Sequence, residues 1–409
     1  MGDVLDITSR GQGAGAATGR PKLRHTDPEM RRVRLGLFAA ALATFAMLYA
    51  PQPLLPQLAG TFRVSPAAAS LAISAATFAL AIAVIPVSSL SEVLGRRRIM
   101  IGGALAAGVL GLAAPLAPSL AVLLVIRVLQ GFALAGVPAV AMAYLAEEVE
   151  RGSFGRAMGL FIAGNSIGGL AGRIVAGALA DHGGWRVALA CVAGISVTCA
   201  VLFALLLPRS AHFTPAPPRV RGLLGTLRRN LCDTGLLRLY LIALAIVGSL
   251  VTVYNYVTFR LSAAPFRLSA TVIGFLFVAY LAGTYSSAFA GRAADRFGRY
   301  PVLCLALPVT AAGALLTLPS SLGLVVVGLV VLTGGFFAAH AVASSWVGAR
   351  ARVATAQASA LYTCAFYIGS SVAGSLGGVF YGFGGWPATV AFVLGLLAIA
   401  LVSAVSIRR

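Results

Sequence analysis

The chain has 409 residues, 59% of them hydrophobic and only 10% charged, with 31 Lys and Arg against 11 Asp and Glu. A soluble domain carries roughly 25% charged residues, so this chain lacks the means to cover a water-facing surface. It reads as an all-α polytopic membrane protein with the bilayer as solvent for most side chains. The formal charge of +20 invites a nucleic-acid reading, yet the basic residues lie in short clusters between apolar runs, which is the pattern of cytoplasmic loops, so no nucleic-acid partner is expected.

Residues 1–34 are polar and Gly-rich, have no apolar signal-peptide core, and read as a disordered cytoplasmic tail. The first apolar run, about 35–55, ends in Tyr49-Ala50-Pro51-Gln52-Pro53, where the prolines kink or end a helix. Further runs follow at about 67–90, 99–117, 119–145, 157–180 and 187–207, each near the roughly 20 residues that cross a bilayer. The stretch 208–236 contains Pro215, Pro217 and Pro218, then Arg219, Arg221, Arg228 and Arg229. It should be a cytoplasmic linker, with Gly222 to Leu231 as a short basic helix on the membrane surface.

The second half repeats the order at about 237–258, 268–289, 301–319, 322–346, 354–379 and 386–406. Glu92 and Asp295 are 203 positions apart, Tyr49 and Tyr254 are 205, Gly131-Phe132 and Gly335-Phe336 are 204, and Gly183-Gly184-Trp185 and Gly384-Gly385-Trp386 are 201. The chain therefore reads as twelve transmembrane helices in two six-helix bundles, 35–207 and 237–406, one unit used twice. Twenty-five of the 31 Lys and Arg fall on the side of the linker and both termini, which is therefore cytoplasmic for a protein of the inner or plasma membrane.

Gly291-Arg292-Ala293-Ala294-Asp295-Arg296-Phe297-Gly298-Arg299 sits between two apolar runs, and Ser88-Ser89-Leu90-Ser91-Glu92-Val93-Leu94-Gly95-Arg96-Arg97 is its weaker echo. An acid among arginines, with glycines that allow a tight turn, can clasp two helices in one conformation and release them in another. Glu92, Arg96, Arg97, Asp295, Arg296 and Arg299 form the candidate clasp, with the second copy expected to hold more strongly; a solvated basic turn is the competing reading.

These motifs resemble the signature between helices 2 and 3 of the major facilitator superfamily. The second copy matches at Gly291, Asp295, Arg296, Gly298 and Arg299; the first matches at Leu90, Gly95, Arg96 and Arg97 but has Ser88 and Val93 and a Glu92 for the aspartate. Arg127-Val128-Leu129-Gln130-Gly131 resembles the helix 4 motif, and Gly164-Asn165-Ser166-Ile167-Gly168-Gly169 the helix 5 motif of drug and proton antiporters, with Asn165 where proline is usual. The resemblance covers about 35–406 and is close to the bacterial YnfM-type efflux branch. It implies the major facilitator fold, alternating access, and a proton-coupling role for Arg127.

On physical grounds Arg127 lies about nine residues into its helix, where an unpaired charge is expensive, and Gln130 shares its face at i+3. A structural arginine held by backbone carbonyls is the alternative. Gly164, Gly168 and Gly172 make a groove for a neighbouring helix, while Asn165, Gly169 and Arg173 make the adjacent face. Arg173 either contacts solute, reaches Asp181 or snorkels outward. Tyr49, Gln52, Tyr254, Asn255 and Tyr256 occupy equivalent ends of the first helix of each half and form a candidate solute pocket, against a reading as interfacial aromatics. His340 is the one histidine in an apolar segment, a proton-exchange candidate or a satisfied core histidine.

None of the eleven acids falls at a predicted bilayer midplane, so an anionic, zwitterionic or polar neutral solute fits at least as well as a cationic drug. Cys191, Cys199, Cys232, Cys304 and Cys364 follow no metal spacing, and no metal or cofactor is expected. No Gly-x-x-x-x-Gly-Lys-Ser/Thr loop supplies a warrant for ATP drive, and the chain is not read as an enzyme. The expectation is a monomeric secondary transporter, in contact with lipid, exporting a small organic solute or drug in exchange for protons. Uptake of a polar or anionic metabolite, and a non-transporting receptor on the same scaffold, are the alternatives.

Overall fold

A computed structural model describes residues 21–24, 26–215, 220–351 and 355–407. Helix α1 (Pro28–Tyr49) begins ahead of the predicted 35 because Asp27 is extended, Pro28 occupies the first helical position and Glu29 lies in the first turn. Part of the predicted disordered tail is ordered: Leu23 bridges to Val149, its N–H donating to Glu148 O at 2.9 Å while Glu150 N–H donates to Leu23 O at 3.0 Å. The remainder of that expectation, residues 1–20, lies outside the described residues.

After the Pro51 break come a 3-10 turn and α2 (Leu55–Phe62), then α3 (Pro66–Leu94), whose first turn is capped by Ser65 Oγ, and α4 (Arg96–Ala113). The predicted single run 119–145 is broken into α5 (Leu120–Leu134) and α6 (Ala141–Glu148), with turns over 135–140 around Pro138, which has no N–H to donate. The next two predicted runs are two helices meeting at a kink, non-helical at Gly184 (φ 70°, ψ 178°), and together they are α7 (Arg151–Leu206). The basic linker helix is present as α8 (Val220–Cys232). Then follow α9 (Thr234–Ser262), α10 (Ala270–Leu276), α11 (Tyr280–Phe297), α12 (Arg299–Leu316), α13 (Leu322–Arg350) and α14 (Thr355–Ile407), the last bent at Gly384 and Gly385.

Among the described residues nine helices are long and apolar enough to cross a membrane, and α5 is a shorter apolar helix. At 56 and 53 residues, α7 and α14 would each extend about 80 Å if straight, far beyond a hydrocarbon core of about 30 Å. Their bends are thus what the bilayer demands. Every positive φ among the described residues has a mate near the same offset: Arg63 (53°) with Arg267 (50°), Gly95 (100°) with Gly298 (90°), and Gly184 (70°) with Gly385 (62°).

Small residues set the closest packing. A methyl at Gly168 would lie 2.2 Å from Leu42 O on α1, and one at Gly369 2.2 Å from Leu244 O on α9, so α7 on α1 and α14 on α9 are matched contacts. The two sequence halves meet through α3 with α14 and α7 with α10. Ser371 Oγ donates to Ser74 O at 2.8 Å, Tyr256 OH donates to Ser70 Oγ at 2.9 Å, and the Asp181 carboxylate accepts the N–H groups of Ala270 and Thr271 at 2.9 Å each. Among the described residues, the polar contact between halves nearest the α8 end is Cys364 Sγ to Ala81 O at 3.3 Å.

Candidate functional site

The site grows from the Pro51-Gln52-Pro53 break. Pro51 cannot donate to Met47 O, so the end of α1 carries an orphaned carbonyl and the negative pole of the helix. Arg127, 2% exposed, answers it. Its Nη1 donates to Met47 O at 3.0 Å and to Gln130 Oε1, Nη2 to Leu48 O at 2.7 Å, and Nε to Ala72 O at 2.7 Å. Gln130 Nε2 in turn donates to Ala107 O at 3.0 Å. Gly131 permits this approach, since a methyl there would lie 2.3 Å from Ala76 O on α3. The predicted i+3 pairing of Arg127 and Gln130 is present, and every guanidinium nitrogen of Arg127 is engaged by protein.

Gln52, freed from the helix by the same break, organises a second network. Arg173 on α7, 3% exposed, donates from Nε to Gln52 Oε1 at 2.7 Å and from Nη1 to Gly169 O at 2.8 Å. Its guanidinium carbon lies 4.4 Å from the Tyr49 ring centroid and 4.8 Å from those of Phe277 and Tyr280. Gln52 Nε2 donates to Asn255 Oδ1 at 2.7 Å, joining two residues 203 positions apart, one from each half. The buried Asn255 Nδ2 has no hydrogen-bond partner among the described residues. No carboxylate pairs with Arg173 among the described residues: Asp181, one of its predicted partners, caps α10 instead. Arg173 does not snorkel.

Tyr49, Gln52, Arg173 and Asn255 are therefore brought together, and Tyr254 borders them, its ring 5.0 Å from Phe277 while its hydroxyl pairs with Thr333 Oγ1 at 2.7 Å. Tyr256 stands apart, at the α3–α14 seam, its single hydroxyl proton shared between Ser70 Oγ and Gly374 O, which lies at 2.8 Å. Asn165 lies eight residues from Arg173, about 12 Å along α7, with Oδ1 buried and unpartnered. His340 on α13 is half-buried between the Phe336 and Phe366 rings, with Nδ1 3.0 Å from the Tyr362 hydroxyl. Phe366 contacts Tyr367 edge-on, continuing the aromatic run. Phe277 and Tyr280 escaped the sequence reading; their i, i+3 spacing, which puts both on one helical face, was the legible signal.

The clasps differ from expectation. In the first copy Arg96 donates to Glu147 at 3.0 Å, to Ser91 Oγ at 2.6 Å, and reaches Glu92 at 3.9 Å, while Arg97 donates to Leu207 O at 2.9 Å and Ala204 O at 3.1 Å. In the second copy Asp295, Arg296 and Arg299 are exposed and make no ion pair among the described residues. The copy expected to be weaker is the engaged one, because Glu147, outside the motif, supplies its acid. Among the described residues no three His, Cys, Asp or Glu side chains are grouped to hold a metal.

With this geometry in hand, comparison with known proteins is consistent throughout. The family model described as Major Facilitator Superfamily matches residues 37–283 and 249–409. The chain is 42% identical over 379 residues to an uncharacterized MFS-type transporter, YybF, of Bacillus subtilis (strain 168), covering 93% of this chain and 94% of that one. It is also 42% identical over 387 residues to the inner membrane transport protein YnfM of Escherichia coli (strain K12), covering 95% and 93%. In fold it is similar to a bacterial homolog of the human lysosomal transporter Spinster, solved inward-facing and unoccupied, with a TM-score of 0.78 at 16% identity over 94% of this chain and 98% of that one. The fold, the duplicated turns and these matches lead to one conclusion: the chain belongs to the major facilitator superfamily of membrane transporters.

Proposed function

We propose that this transporter has twelve crossings in two six-helix bundles, 35–207 and 237–406, and exports a small organic anion or zwitterion in exchange for protons. The matched positive-φ turns support the duplication, and the lengths of α7 and α14 support two crossings in each. The basic clusters support a cytoplasmic linker and termini in an inner membrane. On that orientation the contacts crossing between halves lie toward the outer face, and the molecule opens inward.

One observation carries the solute class: Arg173 is buried among three aromatic rings with no carboxylate paired to it among the described residues. The rings offset part of the cost of a buried charge, each contact contributing on the order of 0.5–2 kcal/mol. The remaining field favours an anion. A solute carboxylate, sulfonate or phosphate completes the site, with Asn255 Nδ2 as a second donor and the Tyr49 and Tyr280 faces for its organic part. Arg127, each of its guanidinium nitrogens bonded to protein, fixes the end of α1 rather than meeting solute. His340 supplies the titrating group, since it lies on the aromatic run and no acid does. The second clasp, unpaired here, engages when the halves rock to the other state. Neither lipid nor a second copy is needed to complete the solute site, so the unit of transport is a monomer.

The test is initial flux in proteoliposomes, with and without an inward proton gradient, across matched organic anions, zwitterions and cations. Anion flux should fall at least tenfold in Arg173→Ala and less in Arg173→Lys, which keeps charge but not the planar fork. His340→Gln should transport without gradient stimulation. A wild type that prefers cations, or Arg173→Ala at full anion flux, would overturn the reading.

A further inference from the structure

A second basic constellation lies away from the Arg173 site, at the linker end of the second half. A cavity of about 610 Å³ is lined by Arg229 and Asn230 of α8, Asp233 and Leu236 at the start of α9, Arg299 at the start of α12, and Trp346 and Arg350 near the end of α13. Three arginines thus face one aspartate, and that aspartate is already committed. Asp233 Oδ1 accepts Gly235 N–H at 2.8 Å, Leu236 N–H at 3.0 Å and Arg350 Nε at 2.8 Å. Arg350 is anchored through Nε alone. Its guanidinium rests on Gly235, where a methyl would lie 2.2 Å away, and its terminal nitrogens have no partner among the described residues. Arg229 and Arg299 make no ion pair among the described residues.

Asn230 is an independent sign that something is missing. It is 5% exposed, it lines the same cavity, and its Nδ2 has no acceptor among the described residues. Burying such a donor unpaired costs on the order of 1–3 kcal/mol, which an anion oxygen in the cavity would relieve.

The first half shows how the vacancy arose. The offset of 203 that carries Arg96 to Arg299 brings Glu147 to Arg350, and the 204 of Gly131 and Gly335 brings it to Ala351; neither is an acid. In the first half the arginine at the helix start has its acid, Glu147, at 3.0 Å. In the second half no acid stands at that place, and among the lining residues Asp233 is the single acid facing three arginines.

We infer that this cavity is an anion site for a phosphate group, closed on one side by the linker helix α8. Arg299 and Arg229 bind its oxygens, Arg350 is held in position by Asp233, and Asn230 donates the remaining bond. The phosphate is that of an anionic lipid headgroup or a free one. The cavity sits at the helix ends, where headgroups lie, and α8 rests over it.

The experiment uses the full chain purified in neutral detergent and titrates phosphatidylglycerol, phosphatidylcholine and inorganic phosphate, with bound species counted by native mass spectrometry. Wild type should bind phosphatidylglycerol at least tenfold tighter than phosphatidylcholine. Arg229→Gln/Arg299→Gln, two exposed side chains without ion pairs, should lose that preference at an unchanged melting temperature. Arg350→Glu, which restores the first-half charge pattern, should lose it as well. Inorganic phosphate that displaces phosphatidylglycerol identifies a free anion as ligand; phosphatidylglycerol bound while phosphate is not identifies the lipid. A wild type that prefers neither, or a double variant that keeps the full preference, overturns the inference.

Discussion

Arg127 and Arg173 lie within apolar helices, and their surroundings divide them by role. Arg127 has the contacts of a structural clamp: three carbonyls and Gln130 accept from all three of its guanidinium nitrogens, and one of those carbonyls, Met47, lost its own helical partner to Pro51. Arg127→Ala should therefore lower stability by at least the cost of an unpaired buried carbonyl, about 1–3 kcal/mol, read as a fall in melting temperature in detergent. Arg127→Lys should recover only part of it, because one ammonium cannot span Ala72, Met47 and Leu48. A melting temperature equal to wild type in both variants refutes the clamp. That the two arginines mattered was legible from their places in apolar runs. Which was held by carbonyls of other helices and which by Gln52 and aromatic rings was not, because the decisive partners of Arg127 are backbone carbonyls of α1 and α3, and carbonyls carry no sequence signature. The same blindness hid Phe277 and Tyr280, which meet Arg173 only across the seam between halves.

At the scale of the helix, glycine position governs what can move. Gly95 and Gly298 take φ of 100° and 90° with ψ of 136° and 157°, a region costly for any residue with a Cβ. Neither has a Cβ clash, the nearest atoms to an added methyl being 3.7 Å and 3.8 Å away. Gly95→Ala and Gly298→Ala should thus each cost about 1–3 kcal/mol from backbone strain alone. Gly168→Ala should cost more, since its methyl would collide with Leu42 O and push α7 from α1. The order of the three melting temperatures checks this, and Gly298→Ala falling below Gly168→Ala would contradict it. Helix existence and the glycine groove were readable from periodicity. The break at Pro138 and the start of α1 at Pro28 were not, because each depends on which backbone N–H groups find partners in three dimensions.

For the whole molecule, the proposed orientation makes a direct prediction. In a background lacking the five native cysteines, a cysteine at Thr214 beyond α7 should resist a membrane-impermeant thiol reagent in intact cells, while one at Ala263 between α9 and α10 should react; both positions are exposed. Reversed labelling defeats the orientation drawn from basic residues. The duplication was legible as offsets between motifs, and the paired backbone angles carry the same interval into three dimensions.

That Glu147 has no acid as its mate across that interval also governs how the protein answers dissolved electrolyte. At 0.1 M, mobile ions screen exposed charges more than about 10 Å apart, and close, partly buried pairs much less. Added potassium chloride therefore leaves the pair of Arg96 and Glu147, whose side chains are 10% and 28% exposed, little changed, while it relieves the mutual repulsion of the exposed Arg229 and Arg299 and weakens the more exposed pair of Arg350 and Asp233. One corner keeps its hold while its symmetry mate answers to salt. A melting curve of the whole chain averages the two and should move little, whereas hydrogen exchange resolved by helix should stay level at the start of α4 and slow at the start of α12. Ionic strength thereby acts on this duplicated scaffold as a bias between its halves.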